Sequence, residues 1–142
     1  MGIDFGEKRI GVALSDPEGT WAAPLTTLRR KDDKSAIREL AEIARREEVE
    51  SLVVGEPVGL DGVRGEMAAR ARRFAERLAE ATGLPLEMVN ESLTSVEAAE
   101  RLRAAGVDPR RNPERLDAVA AQILLQEALD RRSGAPSGTW GT

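Results

Sequence analysis

The chain has 142 residues, with 21 basic and 25 acidic side chains, and it contains no His, Cys or Tyr. The missing His and Cys exclude Ser-His-Asp and Cys-His nucleophiles and the usual ligands of zinc. If the chain is an enzyme, we therefore expect carboxylates that bind a hard cation to carry its chemistry. The net charge of −4 argues against bulk electrostatic binding of nucleic acid, so any contact with a polyanion must be local.

The first 28 residues predict three β-strands joined by short turns. Apolar side chains alternate with small or polar ones over residues 1–5, 10–14 and 21–28, and residues 6–9 have the composition of a tight hairpin loop. Strands that follow one another this closely predict an antiparallel meander.

After residue 30 the pattern changes to helices that alternate with short strands. Helices are predicted over 33–48, 64–82, 94–105 and from 113 onward, and strands over 51–54 and 84–89. The order βββαβαβαα predicts an α/β domain whose sheet begins antiparallel and continues parallel. We expect one domain over residues 1–132 and a flexible tail, rich in Gly and Ser, over 133–142.

The sequence also bears on where the protein is found in the cell. No apolar run approaches the roughly 18 residues that are needed to cross a bilayer. No signal peptide is recognisable at the start of the sequence. We therefore expect a cytoplasmic protein.

Three acidic residues are candidates for the chemistry. Asp4 interrupts an apolar strand between two glycines, Glu91 follows the apolar part of a later strand, and Asp117 lies early in the last helix. Each has an ordinary explanation when taken alone, as a solvated acid or as an acid near a helix N-terminus. If the three converge, they repel one another unless divalent cations neutralise them. Two Mg²⁺ or Mn²⁺ ions roughly 3.5–4 Å apart would suit in-line hydrolysis of a phosphodiester.

Four segments of the chain resemble the motifs of the YqgF/RuvX family. They are residues 2–13 (GIDFGEKRIGVA), 55–62 (GEPVGLDG), 91–98 (ESLTSVEA) and 117–121 (DAVAA). The members of that family are RNase H-like proteins that are related to Holliday-junction resolvases and assigned to pre-16S rRNA processing. The resemblance implies a central mixed sheet of five strands, three antiparallel and then parallel, flanked by about four helices.

The resemblance also implies an acidic catalytic site. The acidic triad of the family corresponds to Asp4, Glu91 and Asp117, which would act as catalytic residues and as ligands of two Mg²⁺ or Mn²⁺ ions. The implied activity is that of a hydrolase acting on phosphodiester bonds. Its substrates would be the 5′ end of pre-16S rRNA, or single-stranded or branched DNA, or both.

Four basic residues are candidate contacts to the nucleic acid. Lys8 and Arg9 lie beside Asp4 in the sequence, and Arg110 and Arg111 precede the last acidic motif, so each could bind a phosphate. Each could equally be a solvated loop residue. The expected partners are pre-rRNA, single-stranded RNA or DNA, and branched DNA, with the protein a monomer or a weak homodimer.

Two positions depart from the family pattern and support an alternative. Asn90 and Ser92 stand where the family has Asp and Arg around the Glu. The alternative is therefore a weakly active or inactive nucleic-acid-binding or regulatory protein on the same fold. A third hypothesis is a nucleotide phosphotransferase, because the turn from Asp4 to Gly6 is similar to the phosphate loop of actin-like ATPases. Those proteins need two such lobes and this chain supplies one, so we expect no ATP binding.

Overall fold

A five-stranded mixed sheet forms the centre of the protein. The computed structural model describes residues 1–57, 63–91 and 94–134, apart from the side chains of residues 63 and 64. The strands are β1 (Gly2–Phe5), β2 (Arg9–Ser15), β3 (Ala22–Arg29), β4 (Leu52–Pro57) and β5 (Leu86–Glu91), in the order β3-β2-β1-β4-β5. The first three pair antiparallel, whereas β4 and β5 continue the sheet in parallel. The predicted mixed topology is confirmed.

The described residues form four helices around this sheet. They are α1 (Asp33–Arg46), α2 (Val63–Thr82), α3 (Thr94–Ala104) and α4 (Pro113–Arg132). Three of them pack on the faces of the sheet, while α3 packs on α4. The side chain of Asp32 accepts the backbone N–H of Ser35 at 2.7 Å and so caps α1. None of the helices in the described residues combines the length and the apolar character that a membrane span requires.

The alternation of side chains gives the two faces of the sheet different characters. Large apolar side chains of β1, β2 and β4 pack on α1 and α2 and form the main core, which includes Ile3, Phe5, Ile10, Val12, Leu52, Val54, Phe74 and Leu78. The opposite face carries mostly small residues, among them Gly2, Gly11, Ala13 and Gly55, and α4 lies across it. Because these residues lack bulk, α4 approaches the strand backbones closely.

The apolar residues of α4 lie on two sides of the helix, although the sequence pattern predicts a single apolar face. Ala121, Leu124 and Leu125 pack on the sheet, whereas Ala120 and Ile123 pack with α3. Both sides of the helix are therefore buried, because α3 covers the side that the sheet leaves open. A pattern with two buried sides cannot be assigned to one face from the sequence alone.

Strand β4 extends further than predicted, and β5 begins and ends two residues later than predicted. The strand predicted over 51–54 continues through Gly55 to Pro57, which pairs with Glu91 at the end of β5. A proline at the terminus of a strand removes only one donor, so pairing tolerates it there. The predicted loop beyond Pro57, Ser92 and the last eight residues of the predicted tail lie outside the described residues.

Candidate active site

Asp4 is the centre of the candidate site. It lies on β1, the middle strand of the sheet, and its register partner on β2 is Gly11. Because Ile3 and Phe5 point into the main core, Asp4 points to the face that α4 covers. Burial raises the pKa of Asp4, a hydrogen bond from Glu91 opposes that rise, and the negative charge of Asp117 adds to it. A strand in the middle of the sheet thus carries a carboxyl group that is costly to ionise.

Glu91 reaches Asp4 across an intervening strand. It is the last residue of β5, and β4 lies between β5 and β1. Burial raises the pKa of Glu91 to about 10, with further contributions from its hydrogen bond to Asp4 and from the charges of Asp4 and Asp117. Two carboxyl groups that lie this close together in a buried place favour a form in which they share one proton.

The crossing is possible because position 55 is a glycine. A Cβ at Gly55 would lie 3.0 Å from Oε2 of Glu91 and 2.9 Å from Cδ2 of Leu124. The Glu91 carboxyl therefore passes over the bare backbone of β4. Gly11 has a similar role on the other side of Asp4, because a Cβ there would collide with the backbone carbonyl of Asp117.

Asp117 reaches the site from α4. The contact with Gly11 sets the first turns of α4 directly on β2, which brings the Asp117 side chain to the face that carries Asp4. Its Oδ2 accepts a hydrogen bond from Nε of Arg9 at 2.6 Å, and the two side chains are 19% and 36% exposed. Asp117 is thus paired with a basic side chain of the same protein.

The structure therefore brings two of the three acids into contact and holds the third within electrostatic range. Asp4 and Glu91 share a hydrogen bond, while Asp117 acts on both through its charge and is paired with Arg9. Across residues 1–57, 63–91 and 94–134, no three acidic side chains are placed so that they could hold a metal ion together.

The chemistry of the three acids nevertheless suits a divalent cation. All the donors are carboxylate oxygens, the preferred ligands of Mg²⁺ and Mn²⁺. Burial is the main reason that the pKa values of Asp4 and Glu91 are raised, and the nearby negative charges add to it. A cation there would favour the ionised forms that the protein alone disfavours.

The four basic residues from the sequence differ in their surroundings. Arg9 is the one that contacts a candidate catalytic acid. Lys8 is exposed in the hairpin loop, where its carbonyl accepts the backbone N–H of Arg30 at 2.8 Å. The side chains of Arg110 and Arg111 are 91% and 87% exposed, and both lie about 4 Å from a carboxylate oxygen of Asp108. They precede α4, whose first turns carry Asp117.

The structure locates two glycines beside the acids, Gly11 and Gly55, and one residue that departs from the family pattern, Asn90. No role in positioning the acids was predicted for Gly11 or Gly55, although a glycine inside a strand is a signal of close approach by a ligand or another backbone. Asn90 is exposed on β5, and strand alternation directs its side chain to the face opposite that of Glu91. It therefore lies away from the acids.

Comparisons with known proteins identify the family of the chain. Residues 1–131 match the family described as "RuvX: Holliday junction resolvase". A protein of Chloroflexus aggregans that is provisionally named a pre-16S rRNA nuclease is 45% identical over 132 residues, which are 93% of each chain. A relative of the same name from Anaeromyxobacter dehalogenans is 44% identical over 133 residues, which are 94% of this chain and 97% of the relative.

Solved structures of RuvC share the fold. RuvC of T. thermophilus in complex with a Holliday junction substrate has a TM-score of 0.58 at 19% identity, with 94% of each chain covered. A second Thermus thermophilus RuvC structure has a TM-score of 0.55 at 20% identity and covers 94% of this chain and 95% of that one. Together with the family match, this fold assigns the chain to the RuvX family, a family of nucleases with the RNase H-like fold.

Proposed function

We propose that the protein is a divalent-metal-dependent nuclease that hydrolyses phosphodiester bonds, with Asp4, Glu91 and Asp117 as its catalytic residues. The observation that carries the proposal is the contact between Asp4 and Glu91. Two carboxyl groups from non-adjacent strands meet over a glycine, and the pKa values of both are raised. Perturbed groups that are clustered in this way are typical of functional sites.

In this mechanism the three acids would be the ligands of the cation, and the neighbouring residues would fix the positions of the acids. A cation held there would supply a water of lowered pKa and would neutralise charge at the leaving oxygen. Asp4 and Glu91 would both be ligands in their ionised forms, and the proton that they share would be released to solvent. The packing of α4 on Gly11 fixes the backbone of Asp117 against the sheet. Lys8, exposed in the hairpin beside β1, is available for a substrate phosphate.

The substrate class follows from the relatives and from the composition of the chain. The relatives are named for pre-16S rRNA, and one matching RuvC structure holds a Holliday junction. Aromatic residues make up 3% of the chain, too few for an extended base-stacking surface. We therefore propose that the protein recognises backbone and shape, with the 5′ end of pre-16S rRNA and single-stranded or branched DNA as substrates.

A cleavage panel with matched variants tests the proposal. The chelated protein is incubated with Mg²⁺ or Mn²⁺ and with single-stranded RNA, single-stranded DNA, a four-way junction and an RNA that spans the 5′ end of 16S rRNA. Asp4→Asn and Asp117→Asn should each lower the cleavage rate by more than about 100-fold. Removing a metal ligand should cost more activity than removing a residue that only hydrogen-bonds to a ligand, which typically costs about 10- to 100-fold. Asp130→Asn removes one acid further along α4 and should cleave at the wild-type rate.

The outcomes separate the two hypotheses that the sequence leaves open. Cleavage that persists in EDTA, or that survives Asp4→Asn, would overturn the assignment of a metal-dependent carboxylate site. Tight binding of nucleic acid without cleavage under any divalent ion would identify a binding or regulatory protein instead. Preference among the four substrates decides between RNA processing and DNA resolution.

A further inference from the structure

We infer that Arg9 is a built-in counter-ion that occupies Asp117 in the metal-free protein and leaves it when a divalent cation binds, so that the Arg9 guanidinium then becomes a phosphate contact. This inference rests on the proposed function and names a positioning residue for it. The observation is the 2.6 Å hydrogen bond from Nε of Arg9 to Oδ2 of Asp117, which joins the start of β2 to the second turn of α4.

The ion pair distinguishes Asp117 from the other two acids. Within the described ranges, Asp4 and Glu91 have no basic partner within 4.0 Å, whereas Asp117 has Arg9. The guanidinium of Arg9 lies 2.6 Å from Oδ2 of Asp117, at the position from which a cation would approach that oxygen. A divalent cation that takes Asp117 as a ligand must displace it.

The side chain of Arg9 can move without disturbing the fold. Its backbone is fixed on both sides, because Arg9 pairs with Arg29 across β2 and β3, and a Cβ at Gly6 would lie 2.5 Å from the Arg9 carbonyl oxygen. The side chain itself is 36% exposed and bonds Asp117 through Nε. In the part of the chain that the structure describes, its terminal amino groups make no further hydrogen bond. They are available to a phosphate oxygen, a geometry to which the guanidinium is suited.

The affinity for the metal alone provides the first test. Isothermal titration of the chelated full chain with Mn²⁺ should show that Arg9→Gln binds the ion about tenfold more tightly than the wild type. That change is expected because the ion no longer has to break the charged hydrogen bond between Arg9 and Asp117. Arg9→Lys keeps the charge and should restore affinity to within about threefold of the wild type. Arg29→Gln, which removes a charge from the residue opposite Arg9, should change affinity by less than about twofold.

A second test separates action through Asp117 from a general charge effect. In an Asp117→Asn background, Arg9→Gln should leave Mn²⁺ affinity unchanged within about twofold, because the competition for that carboxylate no longer exists. With nucleic acid present, Arg9→Gln should raise KM several-fold, since the phosphate contact is lost while the metal site is filled. A purely structural role for Arg9 predicts a lower melting temperature with weaker metal binding.

The wild-type protein gives a third, independent readout if Arg9→Gln fails to fold. The Nε–H resonance of Arg9 in a ¹⁵N-labelled sample should be slow to exchange in EDTA and should lose that protection when Mg²⁺ is added. A resonance that is unchanged at saturating Mg²⁺, or an Arg9→Gln variant that binds Mn²⁺ no more tightly, would overturn the inference while leaving the proposed nuclease intact. A wild-type protein that binds neither ion would overturn both.

Discussion

The carboxyl group of Glu91 lies directly over the backbone of Gly55, close enough that a Cβ at position 55 would be 3.0 Å from Oε2. This contact lets a side chain at the end of β5 reach Asp4 on β1 across the strand between them. The candidate site therefore depends on the absence of a side chain as much as on the three acids. Each strand beside β1 carries such a glycine. Gly55 on β4 leaves room for the carboxyl group of Glu91, and Gly11 on β2 leaves room for the backbone of Asp117.

Gly55→Ala should disturb the site more than the fold. The new methyl group would meet Oε2 of Glu91 and Cδ2 of Leu124, which are both ends of side chains that can shift. We expect a loss of about 1 kcal/mol in the free energy of unfolding, at the low end for overpacking. Mn²⁺ affinity and cleavage should fall by about tenfold or more, because Glu91 can no longer approach Asp4. Urea unfolding and calorimetric titration measure the two effects.

Gly11→Ala provides the contrast. Its methyl group would collide with the backbone carbonyl of Asp117, which cannot move unless α4 moves. The free energy of unfolding should therefore fall by about 3 kcal/mol, at the upper end for overpacking. Gly65→Ala, at an exposed position of α2 where a Cβ meets nothing within 4 Å, should be neutral or slightly stabilising. Equal losses for positions 11 and 55 would contradict this assignment.

The stability of the metal-free protein should decrease as the pH rises because of Glu91. Its pKa is raised from 4.5 to about 10 in the folded protein, so between these values the folded state keeps a proton that the unfolded chain has lost. The contribution is full below about pH 4.5 and is lost toward pH 10, with a slope of at most about 1.4 kcal/mol per pH unit. Chemical unfolding in EDTA at several pH values between 5 and 9 measures it.

The comparison with Glu91→Gln isolates this contribution. Burial and the charge of Arg132 lower the pKa of the Met1 amino group from 8.0 to about 6, which gives an opposite slope over that interval. Both proteins share that effect, so the difference between their curves reports on Glu91 and on its coupling to Asp4. The wild-type curve should fall more steeply, and saturating Mg²⁺ should remove the difference in slope. Parallel curves in EDTA would contradict a raised pKa at Glu91.

The exposed pair Arg110 and Arg111 should contribute to nucleic-acid affinity and not to folding. Replacing both by Gln should leave the free energy of unfolding within about 0.5 kcal/mol, because their contacts with Asp108 are long and solvent-exposed. Binding of single-stranded RNA in EDTA should weaken, and the slope of log K against log salt should shrink by about 1.4 for two lost phosphate contacts. Fluorescence anisotropy at several salt concentrations measures both.

Arg45→Gln with Arg46→Gln is the matched control for that pair. These arginines lie in the last turn of α1, on the opposite side of the sheet from α4, and are 79% and 64% exposed. The charge removed is the same, so an unchanged salt slope is expected if phosphates are bound on the α4 side. A similar loss in both double variants would indicate a diffuse electrostatic effect.

Much of the fold could be predicted because its signals are local. The strands of the meander alternate with period two, the helices between β3 and β5 have one apolar face, and Asp32 is a recognisable cap. The prediction failed where a neighbour in space altered a local rule. β4 continues through Gly55 and Pro57 because β5 pairs with it there, and α4 has two buried sides because α3 packs on it.

The sequence by itself predicted carboxylate chemistry and the three acids that are candidates for it. Without His and Cys, carboxylates were the groups left to bind a metal, and the motifs that contain them resemble those of one family, which the family match confirms. Only the tertiary structure decided which partners those acids contact. Glu91 shares a proton with Asp4, and Asp117 pairs with Arg9. These partners are dozens of residues apart in the chain, so the packing of α4 and β5 on β1 and β2 had to bring them into contact.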